Sequence, residues 1–233
     1  MEIKVIASGS SGNATLISDG VTALLLDAGI SHKELQRGTG FKLSGVAGCL
    51  ITHEHQDHSK ACKELAKTGT DVYAGAGTLA ALGLNGHRYK AVEPLKAFTI
   101  GTFKVTGFDV KHDAAEPLGY LIHSAQTGEK LLYAVDTAYV KYTFPNLTHI
   151  IAECNHGEQE LRGSVSRGIT APELAARIAR NHFSLERLLD FLKASDLSRL
   201  REVHLIHLSD NNSDEQRFGQ AVRRVTGVEV YIH

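Results

Sequence analysis

The sequence predicts an α+β fold in which two β-sheets pack on each other with helices outside. Three observations predict it. Short apolar runs rich in Val, Ile and Leu arrive in two batches, and each batch is followed by helical periodicity. The 233 residues are 42% hydrophobic and 22% charged, enough to bury a core without disulfides or a structural metal. No internal repeat and no low-complexity linker interrupts the chain, so residues 1–233 are expected to form a single domain.

Glu2 to Ala7 reads as a strand, followed by the small-residue turn Ser8-Gly9-Ser10-Ser11-Gly12-Asn13. Ala14 to Ser18 and Ala23 to Leu26 are strands joined through Asp19-Gly20, a hairpin signal. A short helix near Ser31 to Gln36 and the apolar strand Val46 to Ile51 follow. Ala61, Cys62, Leu65 and Ala66 share one side of a helix predicted from Ser59 to Lys67. Val72 to Ala74 is a strand, Thr78 to Leu82 a helix, and Arg88 to Ala97 strand and loop. Phe98 to Phe108 alternates as a hairpin through Gly101, and Thr127-Gly128 separates strands at Leu118 to His123 and Lys130 to Val135. After the strand Leu147 to Ala152 the chain turns helical. Thr170 with Glu173, Ser184, and Ser213 with Gln216 are read as helix N-caps. Val203 to Leu208 and Val228 to Ile232 are the last strands.

The 25 Lys and Arg against 26 Asp and Glu give a formal charge of −1, which neither favours nor excludes nucleic acid. Leu161 to Arg201 nevertheless holds eight basic and four acidic residues, pointing weakly towards phosphate. The three cysteines lack Cys-x-x-Cys spacing and suggest no disulfide framework. With no signal core at Met1 to Ile6 and no run of transmembrane length, the expectation is a soluble, cytoplasmic protein without a membrane partner.

Histidine is the outlier, with 13 residues. Thr52-His53-Glu54-His55-Gln56-Asp57-His58 puts three imidazoles and two carboxylates within six residues at a strand end. That density suits a borderline metal such as zinc or manganese. In an extended segment His53 and His55 point the same way, while Asp57 and His58 lie past the turn and can face a second ion. His112, Asp136 and His207 also stand at strand ends. Seven donors suit two divalent ions, with His53, His55 and His112 on one, Asp57, His58 and His207 on the other, and Asp136 between. Asp27, ending the run Leu24-Leu25-Leu26, is read as a carboxylate that accepts hydrogen bonds from the histidine loop.

This stretch resembles the His-x-His-x-Asp-His signature of the metallo-β-lactamase superfamily, and Asp27, His112, Asp136 and His207 follow in that superfamily's order. The resemblance implies a four-layer αββα sandwich over essentially the whole chain. Ser8 to Asn13, His112-Asp113-Ala114-Ala115 with Pro117, Gly119 and Tyr120, Asp136 to Val140, and Glu153-Cys154-Asn155-His156 look like the YycJ/WalJ branch. That branch is associated with metal-dependent 5′-to-3′ DNA exonuclease activity. The implied function is a dinuclear phosphodiesterase in which metal-held hydroxide attacks DNA in line, with Asp57 and His182 as catalytic residues. Ser10, Ser11, Asn13, Asn155, His156, Arg162 and Arg167 are the candidate substrate-binding residues. Gly157 and Asn181-His182-Phe183-Ser184-Leu185 depart from the branch pattern, which has Asp and Gly-His-Leu-Ser-Asn there. His182 reads equally as a hydrogen-bonded residue at a helix N-terminus. RNA is the alternative polymer. A small-molecule hydrolase of the same fold (cyclic phosphodiester, lactone or thioester) and a non-catalytic metal-binding scaffold are the alternative functions.

Overall fold

The computed structural model describes residues 1–233. The chain divides into two compact units, the first formed by Met1–Asp109 with Ala114–Glu129 and the second by Val110–Asp113 with Lys130–His233.

In the first unit β1 (Glu2–Ala7), β2 (Ala14–Ser18) and β3 (Ala23–Leu26) run antiparallel, with a register irregularity between Val5 and Ala7. Helix α1 (His32–Gly38) begins at Ser31, whose hydroxyl and Glu34 form a complete capping box. Strand β4 (Val46–Leu50) lies parallel to β3, and the chain then turns into α2 (Gln56–Ser59) and α3 (Cys62–Lys67). The helix expected from Ser59 to Lys67 is therefore two shorter ones, broken at Lys60-Ala61, where the Ala61 amide bonds the Ala28 carbonyl instead of its own helix. Strand β5 (Val72–Gly75), helix α4 (Ala76–Ala81) and parallel strand β6 (Tyr89–Val92) complete a mixed sheet in the order β1-β2-β3-β4-β5-β6.

Strands β7 (Ala97–Ile100), β8 (Phe103–Asp109) and β9 (Leu118–Ser124) form an antiparallel meander turning at Gly101. It packs against the mixed sheet. Tyr73 stacks on Phe98 at 5.3 Å, and Tyr120 donates to the Ile51 carbonyl at 2.6 Å. A single buried cluster holds Leu25, Cys49, Ile51 and Val72 of the sheet with Leu35 of α1, Leu65 of α3 and Leu79 of α4. The sheet thus carries helices packed on one face and a second sheet on the other.

The second unit is built on four parallel strands in the order β13-β12-β11-β10: β10 (Lys130–Ala134), β11 (His149–Glu153), β12 (Glu202–Ile206) and β13 (Glu229–Ile232). Every residue of β11 is buried, as expected of a strand covered on both faces. Between the strands lie α5 (Glu158–Ser166), α6 (Pro172–Asn181), α7 (Leu185–Ala194) and α8 (Glu215–Thr226). Ser184 caps α7 through the Arg187 amide. Two expected caps are corrected. Ala171 stands at the α6 N-cap with Pro172 in the first turn, because the Thr170 hydroxyl is held by Ser164 and Asn212. Asp214 caps α8 through the Arg217 amide, while Ser213 donates back to the Ser209 carbonyl.

The α+β class expected from the sequence is what the chain forms: mixed β-sheets layered as a sandwich and flanked by helices. No helix is long and apolar enough to cross a membrane.

Candidate functional site

Parallel strands β3 and β4 end side by side in the first unit, and each feeds a loop at its C-terminal end, where α/β sheets place their chemistry. Three backbone segments are sewn together there. The Asn13 amide bonds the Asp57 carbonyl at 2.7 Å, the Gly29 amide bonds the Asn13 carbonyl at 2.8 Å, and the Ala28 amide bonds the His58 carbonyl at 2.7 Å. Gly29 makes this possible, since a Cβ there would lie 1.6 Å from the Asp57 carbonyl oxygen.

Asp27 is fully buried and sits at φ +58°, in the left-handed region. Its carboxylate accepts from the Thr52 amide at 2.8 Å, from the Thr52 hydroxyl and from His58 Nδ1 at 2.8 Å. With Nδ1 donating, His58 presents the lone pair of Nε2, 3.4 Å from Asp57 Oδ2. His53 Nδ1 lies 3.0 Å from the Thr52 hydroxyl oxygen, whose own proton goes to Asp27. His53 Nε2 is 3.0 Å from His55 Nδ1, close enough for both to reach one cation.

The second unit repeats the pattern at the C-terminal ends of β10, β11 and β12, which deliver Asp136, Glu153 and His207. Asp136 at φ +46° and His207 at φ +56° adopt the same left-handed backbone as Asp27. Each such non-glycine residue costs about 1–2 kcal/mol, and strain of this kind collects at functional sites. Glu153 is fully buried and accepts four hydrogen bonds: from the Thr137 and Phe183 amides at 3.1 and 3.0 Å, from His207 Nδ1 at 2.9 Å and from His182 Nδ1 at 2.5 Å. His112 Nδ1 donates to the Asn181 carbonyl at 3.1 Å, leaving Nε2 3.6 Å from Asp136 Oδ2.

Burial favours the neutral His112 ring and outweighs the pull of Asp136, so its pKa lies below the ordinary imidazole value, as a metal ligand needs. His182 moves the other way. Burial again disfavours its charge, but Glu153, seconded by Asp136, raises the pKa above the usual value.

Four pairs can each offer atoms to one ion: His53 with His55 and Asp57 with His58 in the first unit, His112 with Asp136 and Asp136 with His207 in the second. Asp136, Glu153, His182 and His207 also cluster, with candidate atoms within 4.8 Å of one another. There, however, both imidazole Nδ1 atoms donate to Glu153, which makes this group a hydrogen-bonded network rather than a coordination sphere. Divalent cations fit the clusters of both units by donor chemistry. His58, His112 and His207 each give Nδ1–H to a protein oxygen and hold Nε2 as the ligand-ready nitrogen.

Glu153 escaped the sequence reading as a site residue. The signal was present, because it ends an apolar strand as Asp27 and Asp136 do. The candidate substrate-binding residues are placed variously. Ser10 and Ser11 are exposed at the tip of their turn, whereas Asn13 is buried, bonded to the Gly9 and Asp57 carbonyls and 3.2 Å from His58 Nε2. The Asn155 side chain donates to the carbonyl of strained His207 at 3.1 Å. His156 is 2% exposed, and burial pushes its pKa down to about 4, so the ring is neutral at physiological pH. Arg162 and Arg167 are exposed on α5 and at its C-terminus, and Arg162 bonds Glu158 of its own helix. At Gly157, where the branch pattern has Asp, a side chain would have to displace the Glu160–Arg217 ion pair. A Cβ would lie 1.9 Å from Glu160 Oε2, which is paired with Arg217. His182 closes α6 at its C-terminal end rather than leading a helix, because Ser184 takes the next N-cap.

The model of the beta-lactamase superfamily domain matches residues 22–204. Exodeoxyribonuclease YycJ of Bacillus anthracis is 33% identical, the match covering 92% of this chain and 85% of that protein. Exodeoxyribonuclease WalJ of Streptococcus pneumoniae is 31% identical over 90% of this chain and 82% of its own. Among solved structures, the metallo-beta-lactamase fold protein YhfI from Bacillus subtilis superposes with a TM-score of 0.76 at 16% identity, covering 99% of this chain and 95% of the other, a likeness of fold.

Proposed function

The chain belongs to the metallo-β-lactamase superfamily, and from that premise we propose that it is a two-metal phosphodiesterase acting as a sequence-independent 5′-to-3′ DNA exonuclease. Its fold and donor clusters are those of a metal-dependent hydrolase. One observation carries the reading: His58, His112 and His207 are each fixed through Nδ1 so that Nε2 is offered as a ligand. The two exodeoxyribonucleases, alike over more than four fifths of their length, support the choice of polymer.

In this reading His53, His55 and His112 would hold one divalent ion and Asp57, His58 and His207 the other, with Asp136 as a further donor. Zinc or manganese, when bound, supplies Lewis acidity towards a phosphoryl oxygen and acidifies a water. The remaining work falls to the protein. The Asp57 carboxylate orients the attacking water. His182, whose Nδ1–H is held by Glu153 and whose pKa that carboxylate raises against the cost of burial, would hand an Nε2 proton to the leaving oxygen. Ser10, Ser11 and Arg167 are exposed groups that can hold phosphates without reading bases.

Single-turnover digestion of 5′-phosphorylated duplex DNA, single-stranded DNA and RNA, with zinc and manganese compared, tests the proposal. Asp57→Ala and His58→Ala are expected to abolish release of nucleotides while the far-UV spectrum stays unchanged. Full activity in both variants would defeat it.

A further inference from the structure

Beside the donor cluster of the second unit opens a cavity of about 560 Å³, lined by Lys111, Tyr139, Arg180, Phe183, Arg187 and Phe191 among others. Its walls are continuous with the loops that carry the site. Lys111 precedes His112, Tyr139 follows Asp136 by three residues, and Phe183 follows His182. Thr137 sews two of these segments together, its hydroxyl oxygen accepting from the Lys111 amide at 3.1 Å and donating to the Tyr139 carbonyl at 2.8 Å. Glu153, which holds His182 and His207, also takes the Thr137 and Phe183 amides, so one carboxylate fixes the catalytic imidazoles and the cavity walls.

The lining combines the aromatic Tyr139, Phe183 and Phe191 with small aliphatic side chains and the cations Lys111, Arg180 and Arg187. Phe183 is buried with Phe191 beside it, ring centroids 6.4 Å apart, and Tyr139 stands 51% exposed. Lys111 and Arg180 are exposed at the rim. Arg187 is committed to the Ala138 and Ala179 carbonyls at 3.3 and 3.0 Å and braces the wall. The one carboxylate on the lining, Asp190, lies 3.8 Å from Lys193. An aromatic surface with cations at its edge matches a flat heteroaromatic ring that carries a phosphate.

Building on the phosphodiesterase reading, we propose that this cavity seats the nucleotide adjoining the scissile phosphodiester, its base against Tyr139 and Phe191 and its phosphate between Lys111 and Arg180. That nucleotide can be the end of a DNA strand or a free mononucleotide, and the test separates them.

The test measures kcat and KM of wild type, Tyr139→Ala, Tyr139→Phe and the double variant Lys111→Ala/Arg180→Ala. The substrates are a 5′-phosphorylated oligodeoxynucleotide, its 5′-hydroxyl form, a 3′,5′-cyclic mononucleotide and a nucleobase-free phosphodiester. Tyr139→Ala is expected to raise KM for the nucleotide substrate roughly tenfold to a hundredfold with a smaller change in kcat. Tyr139→Phe keeps the ring and restores KM. The double variant is expected to erase any preference for the phosphorylated over the hydroxyl end. If these shifts appear with the cyclic mononucleotide and not with DNA, the cavity holds a free nucleotide. Wild-type KM in all variants of an active enzyme overturns the cavity assignment alone. A wild-type chain that turns over none of the four substrates overturns the phosphodiesterase reading instead.

Discussion

Glu153 accepts four hydrogen bonds while fully buried, and two of the donors are imidazoles. A carboxylate can accept from all four at once. An amide cannot, because its NH2 end would face groups that are themselves donors. Glu153→Gln is therefore expected to cost about 2–3 kcal/mol of stability and to weaken metal binding about tenfold to a hundredfold, with little change in volume. Urea unfolding and a zinc titration against a chromophoric chelator read the two effects separately. Unchanged metal affinity would mean that Glu153 does not set the imidazole that binds. Asp27 plays the matching part in the first unit and was readable, because Leu24-Leu25-Leu26 runs straight into it. Glu153 directly follows the equally apolar strand expected at Leu147 to Ala152, but spacing does not reveal that two distant imidazoles, His182 and His207, converge on it.

Among the elements, the strands were the most legible and the helix ends the least. Alternation and apolar runs locate β1 to β5 and β8 to β12 to within a residue or two, since burial of one or both faces dictates them. Helix α5 was missed because Glu158–Ser166 offers only Leu161 and Val165 as apolar positions and contains Gly163. The caps of α6 and α8 were misjudged because Thr170 and Ser213 have competing tertiary and local partners that spacing cannot reveal. The Asp19 turn shows the converse, a local signal with distant reach. Its carboxylate accepts from the Val21 and Thr22 amides within the hairpin, and also from Thr102 at the β7–β8 turn and Ser124 at the end of β9. Burial alone would raise its pKa, but these four hydrogen bonds outweigh it and lower the value from 3.8 to about 2. A depressed carboxylate stabilises the fold fully above its unfolded pKa and loses that stabilisation as pH falls through the folded value. Asp19→Asn should thus cost about 2 kcal/mol at neutral pH, with the gap to wild type closing between about pH 4 and pH 2. Urea midpoints at neutral and acid pH measure it. An equal gap at both would show that the ion contributes nothing.

At the scale of the whole molecule, the histidine motif and the superfamily were legible because so dense a set of donors at strand ends has little use in packing. The cavity lined by Lys111, Tyr139, Arg180 and Phe191 was not, because these residues are far apart in sequence and only the fold brings them to one lining. Net charge completes the argument. At −1 overall, the chain has no general attraction for a polyanion, so under the proposed exonuclease reading affinity for DNA would have to come from a few local cations. With Lys111, Arg180 and one or two further basic groups on the strand, log KM plotted against log salt should have a slope magnitude of about 1–3. A protein that coats many phosphates would show a magnitude above about 5. Measuring KM for single-stranded DNA across salt concentrations at fixed metal decides between the two. The steep slope would reject local capture of one or two phosphates and call for an extended basic track. The shallow one agrees with a substrate gripped at its end by aromatic contact and a small number of cations, as an enzyme that takes one nucleotide at a time requires.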